Sequence, residues 1–258
     1  MTITLGLDFE TSGLDPTDGA HIIEVGAQLR DVNGAILGEL SRLVRPPHFT
    51  GLPDNITELT AITTEMINLH SRPINDVSLE LMHLAEKADY WVAHHAEFEQ
   101  KFLYQLLPQV VINELKWIDT LKDIDYENNT NCHKLSHLCL DHGIMTTTKI
   151  HRTLTDVNMM MDLMFQYNIE VVIENAETPD FIIVLDCHYD DKDLAKEIGY
   201  RFNPDLKKWY KEVRQTKLIE EQDNVIGQIE YAKHKFCVDY INEKVSTQLQ
   251  LSPQSGKR

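Results

Sequence analysis

The feature that most constrains this chain is its opening run, Ile3-Thr-Leu-Gly-Leu-Asp8-Phe-Glu10, followed directly by hairpin-like sequence. Residues 3–9 are mostly apolar and read as a strand. Residues 21–30 and 35–45 read as two more strands, joined by Asp31-Val-Asn33-Gly34, a two-strand turn signal. Three strands this close together demand a sheet with an antiparallel edge. The chain then alternates. Residues 57–67 read as a short helix or turn and 74–87 as a helix. They are followed by a short strand at 90–93, a helix at 96–106, a strand at 115–119, and helices at 132–141 and 153–165. That order fits an α/β layer architecture around a central sheet.

The 258 residues carry 41 acids and 24 Lys or Arg, a formal charge of -17. Such a surface disfavours nonspecific, charge-driven coating of nucleic acid. It does not disfavour a metal-loaded site, where bound cations invert the local field. The excess is uneven: residues 1–200 hold 33 acids and 13 bases, whereas residues 201–258 hold 8 and 11. The four cysteines, at 132, 139, 187 and 237, form no CxxC pair, and the Cys132-His133-x3-His137-x-Cys139 run lacks the usual zinc spacing. The N-terminus has no basic, apolar leader pattern and no window is apolar enough to span a membrane. The expectation is a cytoplasmic protein with no membrane association.

Three constellations carry chemistry. Asp8 and Glu10 lie two apart on a strand, so both carboxylates face one way. They form either a solvated strand end or a seat for a hard divalent cation, which relieves their repulsion. The stretch Trp91-Val-Ala-His-His95-Ala-Glu-Phe98-Glu99 falls where a strand enters a helix, the edge at which open α/β sheets collect ligands. There, Phe98 and Phe102 point to the core and Glu99 elsewhere. In His151-Arg-Thr-Leu-Thr-Asp156, a loop histidine precedes an aspartate one turn into a helix, with Thr153 as a candidate cap. An imidazole titrates near neutrality and moves protons from water. Each stretch alone also suits solvated or capping groups. Together they gather enough carboxylate for two divalent ions about 4 Å apart, a clamp suited to phosphodiester hydrolysis.

These stretches resemble the motifs of the DEDD exonucleases in their histidine-bearing (DEDDh, DnaQ-like) branch. They are similar to those of the proofreading subunit of bacterial DNA polymerase III and, most closely, of exodeoxyribonuclease X-like enzymes. Asp8-Phe-Glu10-Thr-Ser-Gly-Leu14 resembles the first motif, Val92-Ala-His-His-Ala-Glu-Phe-Glu99 the second, and His151-Arg-Thr-Leu-Thr-Asp156 the third. Ser41-Arg-Leu-Val-Arg-Pro46-Pro47 and Leu59-Thr-Ala-Ile-Thr-Thr-Glu-Met66 resemble the segments between, so the match covers about residues 3–168. The resemblance implies a ribonuclease H-like α/β fold with a five-stranded mixed sheet between helices. It also implies 3′–5′ removal of nucleoside monophosphates from DNA, with two Mg²⁺ or Mn²⁺ ions per site. Asp8, Glu10 and Asp156 would then be metal ligands. The catalytic set would be Asp8, Glu10, Glu99, His151 and Asp156, with His151 deprotonating the water, and Thr11, Leu14, His95 and Phe98 would face substrate. The family places aspartate where Glu99 stands and asparagine where His95 stands. Glutamate reaches about 1.5 Å farther, and a misplacement of that order costs about a hundredfold in rate where geometry is tight. An exoribonuclease and a weakly active binding scaffold are the alternatives.

The expected organisation is an exonuclease domain at 1–170, a linker at 171–180, a small α+β strand–helix–hairpin module at 181–214 whose hairpin turns around Asn203-Pro-Asp205, and, at 215–258, a C-terminal helix (218–247) ending in a flexible tail (250–258). In the module, Gly199 suits a helix end. Lys207, Lys208, Trp209 and Lys211 are candidate nucleic-acid contacts, although Trp209 equally suits the core of so small a unit. Single-stranded DNA or duplex 3′ ends are the expected partners, with RNA as the alternate substrate, and the C-terminal region is where a replication or repair protein would dock.

Overall fold

The computed structural model describes residues 2–126, 132–145, 151–185, 189–204, 207–221, 223 and 237–239. Two compact units emerge, residues 1–176 and 177–258. The expected tail at 250–258, the turn residue Asp205 and most of the stretch 222–247 lie outside the described residues.

The first unit is built on strands β1 (Ile3–Thr11), β2 (Ile22–Asp31) and β3 (Ile36–Arg45), then β4 (Arg72–Pro73), β5 (Tyr90–Ala93) and β6 (Trp117–Asp119). Their order across the sheet is β4-β3-β2-β1-β5-β6. β1–β2 and β2–β3 are antiparallel, while β3–β4, β1–β5 and β5–β6 are parallel. The mixed α/β sheet agrees with the sequence, but among the described residues it has six strands rather than five. The sixth is the two-residue β4, too short to leave a hydrophobic pattern.

Helices cover both faces: α1 (Asp54–Thr60), α2 (Thr64–His70), α3 (Ile74–Ala85), α4 (Ala96–Leu103), α5 (Gln109–Ile112), α6 (Leu135–Asp141), α7 (Thr153–Met164) and α8 (Ile169–Glu177). Coverage on both sides explains why β1 alternates only weakly. Leu5, Leu7 and Phe9 enter one core with Val77, Leu81, Phe102 and Leu103. On the other face, α7 sends Val157, Met160, Met161 and Met164 against Tyr90, Val92 and Ile118. Its opposite side packs Met159 and Leu163 on Leu138 and Cys139 of α6.

Residues 171–177, read above as part of a linker, belong to α8. Ile169, Val172, Ile173 and Ala176 pack on the α7 core, so the polar residues among them are the solvent face of a helix. The second unit follows with β7 (Asp180–Leu185), α9 (Lys192–Glu197), β8 (Arg201–Asn203), β9 (Lys208–Arg214) and β10 (Cys237–Asp239), in sheet order β10-β7-β9-β8. Ile183, Leu185, Ala195, Tyr200 and Val213 form its core. Gly199 ends α9 at φ 89°, the left-handed conformation expected of it. The continuous helix expected over 218–247 is broken by β10. This strand pairs with β7 and satisfies backbone groups that would otherwise line an open edge.

Gly26 positions the site below. Its register partner is Asp8, on the sheet face beneath α7. A Cβ there would sit 2.5 Å from the Thr153 carbonyl carbon and 2.6 Å from the Leu154 nitrogen. Backbone cannot yield as a side-chain tip does, so only glycine lets the start of α7 lie this close. Gly26→Ala is therefore expected to destabilise the fold by about 1–3 kcal/mol, read by urea denaturation; a midpoint equal to that of the parent would contradict the packing.

Candidate active site

The β1–β2 register sets the site. Asp8 faces Gly26 and Glu10 faces Glu24 across the ladder, so three carboxylates share one face of two strands. Like charges directly opposed repel. Above them stands the first turn of α7, with Asp156. Glu10, His151 and Asp156 each bring a ligand atom within 4.8 Å of the others. The exposed His151 adopts φ 65°, and its backbone N–H donates to Asp156 Oδ2 at 3.1 Å. Asp156 Oδ1 is buried and has no hydrogen-bond partner among the described residues.

Glu99 enters from α4, which follows β5, the parallel neighbour of β1. It is 3% exposed and, among the described residues, its Oε2 also lacks a partner. The electrostatics show how crowded the acids are. Burial, then Glu99, Asp156, Glu10 and Glu24, push the Asp8 carboxyl well above its ordinary range. Burial, Asp156 and Glu24 raise Glu10 to about 8, against the opposing pull of Arg152. Burial, with Asp119 and Glu10, raises Glu99 to about 8, although a backbone hydrogen bond opposes the shift. Burial also raises Asp156, partly offset by His151. Buried carboxylates with orphaned oxygens and mutual repulsion form a donor set that fits hard divalent cations.

Two supports are absent from the sequence expectations. Glu24, 1% exposed, accepts from Arg152 Nε on both oxygens at 3.1 Å, from Arg152 Nη2 at 2.5 Å and from the Thr153 N–H at 3.2 Å. It thus anchors the turn between His151 and α7. The expected Thr153 cap does not form: Arg152 is the cap position, and the Thr153 hydroxyl is buried without a partner. The second support is Asp119 at the end of β6. Its carboxylate accepts from the N–H groups of His95 (2.9 Å), Ala96 (3.1 Å) and Leu121 (3.0 Å), while Asp123 Oδ2 receives the Asp119 N–H at 2.7 Å. Asp119 thereby holds His95 at φ 74° and fixes the start of the helix that carries Glu99. Its local signal is an acid at the end of a short apolar strand, but the partners that matter to the site, His95 and Ala96, lie more than twenty residues upstream.

The remaining expected residues fall as follows. The Thr11 hydroxyl donates to the Gly13 carbonyl at 2.6 Å, Leu14 is 84% exposed, His95 is exposed, and Phe98 is half-buried with its ring 5.1 Å from that of Phe102. In the second unit, Lys207 is exposed, Lys208 half-buried, and Trp209 half-buried against the core. Lys211 is committed internally: its Nζ donates to Glu221 Oε2 at 2.6 Å and to the Ile198 carbonyl at 2.9 Å. It is a structural ion pair rather than a surface contact.

The model of the RNase_T exonuclease family matches residues 5–164. A DNA polymerase III of PolC type from Thermotoga petrophila is 37% identical over 119 residues, which is 45% of this chain and 8% of the polymerase. The nuclease domain of 3′hExo, a DEDDh family member bound to rAMP, superposes with a TM-score of 0.50 at 22% identity, covering 64% of this chain and 90% of that one. Escherichia coli exonuclease I in complex with a dT13 oligonucleotide superposes with a TM-score of 0.55 at 13% identity, covering 72% and 49%. Both structures share the fold. The chain spans a small fraction of the length of the polymerase it matches. No helix among the described residues is long and apolar enough to cross a membrane.

The raised carboxyls give a signed prediction. Within a window from the ordinary 4.5 to about 8, the folded, metal-free protein holds more protons than the unfolded chain. Its stability is therefore fully present below that window and is lost as pH rises through it. Melting of chelator-treated protein should occur at progressively lower temperature from the acid to the alkaline end, and Mn²⁺ should raise Tm most at the alkaline end. A metal-free Tm that is flat across the window would contradict the crowding. Glu24→Ala, which frees the Arg152–Thr153 turn, should cost about 1.5–3 kcal/mol in a denaturant titration; an unchanged midpoint would mean that Glu24 is no anchor.

Proposed function

Because this chain belongs to the RNase_T exonuclease family, whose model spans more than half of it, we propose that it hydrolyses the 3′-terminal phosphodiester bond of DNA and releases nucleoside 5′-monophosphates. The observation that carries this reading is the convergence of Glu10, His151 and Asp156 within 4.8 Å, with half-buried Asp8 and buried Glu99 among the same interacting acids. The sequence likeness to a DNA polymerase III favours DNA over RNA.

In this reading Asp8, Glu10 and Asp156, with Glu99, would hold two divalent ions, Mg²⁺ or Mn²⁺. When bound, such ions supply Lewis acidity, acidify water and neutralise phosphoryl charge. The protein's own part begins with His151. Its exposed ring accepts the proton of the attacking water, while the backbone bond to Asp156 and the Glu24–Arg152 anchor keep it in place. The water oxygen bonds to phosphorus, the bond from phosphorus to the 3′ oxygen breaks, and that oxygen takes a proton from solvent. Thr11, Leu14, His95 and Phe98 border the terminal nucleotide. Asp119 keeps Glu99 in register, so the added methylene sits in a helix fixed at its N-terminus. The region after residue 177 is where a replication or repair protein would attach.

A degradation assay on 5′-labelled single-stranded DNA and RNA, with Mn²⁺ or with EDTA, tests this. The expected result is metal-dependent shortening from the 3′ end, faster on DNA, and abolished by Asp8→Ala. Glu99→Gln should lower kcat by about a hundredfold or more, since a charged ligand is lost, while Glu99→Asp stays within about tenfold. Metal-independent cleavage, or full activity in Asp8→Ala, would refute the mechanism; equal or faster shortening of RNA would refute the substrate.

A further inference from the structure

The second unit presents a surface that the catalytic reading leaves unused. In the β8–β9 hairpin, Phe202 is 49% exposed, although it is a large apolar ring on a strand. It pairs with Trp209 across the ladder, and the two rings lie tilted at 57° with centroids 5.4 Å apart. Trp209 is held from below by the core of Ile183, Leu185 and Val213, so the pair is a braced aromatic ledge rather than a loose side chain. β8 is the edge strand of its sheet, so no further strand among the described residues covers this side.

The same hairpin carries cations. Arg201 and Lys207 are exposed: Arg201, next to Phe202 on the edge strand, projects from the opposite face of the sheet, and Lys207 stands two residues before Trp209, just ahead of β9. Residues 199–211 carry four basic residues and one acid, Asp205, in a chain whose overall charge is -17. Lys211 is withdrawn by Glu221, which leaves Arg201 and Lys207 as the exposed cations of the hairpin. An exposed π-face on an edge strand that also carries a guanidinium, with an ammonium group at the turn, matches a nucleobase with its phosphates. An acidic protein segment would use the charges but not the ring.

We propose that Phe202, braced by Trp209 and with Arg201 and Lys207 on the same hairpin, is a stacking site for single-stranded nucleic acid, separate from the catalytic carboxylates. This deepens the nuclease reading and rests on it for the choice of strand. A second grip on the same chain raises the effective concentration of substrate.

The test uses the full chain in EDTA, where cleavage is absent, and the anisotropy of a fluorescein-labelled oligothymidylate. Phe202→Ala should weaken binding by about fivefold or more, the smallest effect a stacked base entails. Phe202→Tyr should bind as the parent does, and Phe202→Leu, which keeps the packing on Trp209, should behave as Phe202→Ala. The double variant Arg201→Gln/Lys207→Gln should lower the slope of log Kd against log salt by about 0.7 for each phosphate no longer neutralised. Hydrolysis of a p-nitrophenyl nucleoside phosphodiester in Mn²⁺, too small to reach a second site, should be unchanged in every variant. Oligonucleotide affinity unchanged by Phe202→Ala and Phe202→Leu, or absent from the parent, overturns the stacking site. So does an unchanged oligonucleotide affinity alongside abolished binding of a polyglutamate peptide, which would mark an acidic-protein contact. A parent that binds through Phe202 but does not cleave the small diester with metal sinks the catalytic reading and leaves the stacking site standing.

Discussion

Repulsion among buried carboxylates governs this molecule. Asp8, Glu10, Glu24, Glu99 and Asp156 interact within one region, and all but Asp8 are almost fully shielded from solvent. In water such charges are screened; under α7 they are not. The fold has two remedies. One acid, Glu24, is ion-paired with Arg152. The others are left with raised proton affinity and with unpartnered oxygens on Glu99 and Asp156. A site that stabilised only its own fold would have little reason to retain those orphaned oxygens, whereas a bound cation would make use of them.

Every element around the site serves this concentration of charge. The antiparallel register of β1 and β2 sets the acids opposite one another, and the missing side chain at Gly26 lets α7 descend onto them. The parallel pairing of β1, β5 and β6 brings the ends of three strands to one edge. From that edge Asp119 reaches across to fix the start of α4, and so the position of Glu99. The anchors are themselves carboxylates, which adds to the local negative field and to the site's demand for a counterion.

Much of this was legible in the sequence, for identifiable reasons. Asp8 and Glu10 could be read because strand periodicity is two, and His151 and Asp156 because a loop-to-helix step is short and local. Glu24 and Asp119 could not. Glu24 acts on residues 128 and 129 positions away and Asp119 on residues 23 and 24 away, and only the register of the strands reveals such partners. The same limit explains Thr153: its hydroxyl suits a cap locally, yet the tertiary anchor from Glu24 takes that role. In α8, the polar residues around Glu174 hid a helix whose apolar side is spaced over Ile169, Val172, Ile173 and Ala176. Lys211 looked like a surface cation because its partner, Glu221, lies beyond the hairpin.

The central claim is that these acids exist to share divalent cations. Calorimetric titration of Mn²⁺ into the chelator-treated chain at neutral pH, repeated in buffers of different ionisation enthalpy, tests it most directly. The account predicts saturable binding with release of protons from the raised carboxyls, and loss of both in Asp8→Asn/Asp156→Asn. Absence of binding, or binding that releases no protons, would contradict it.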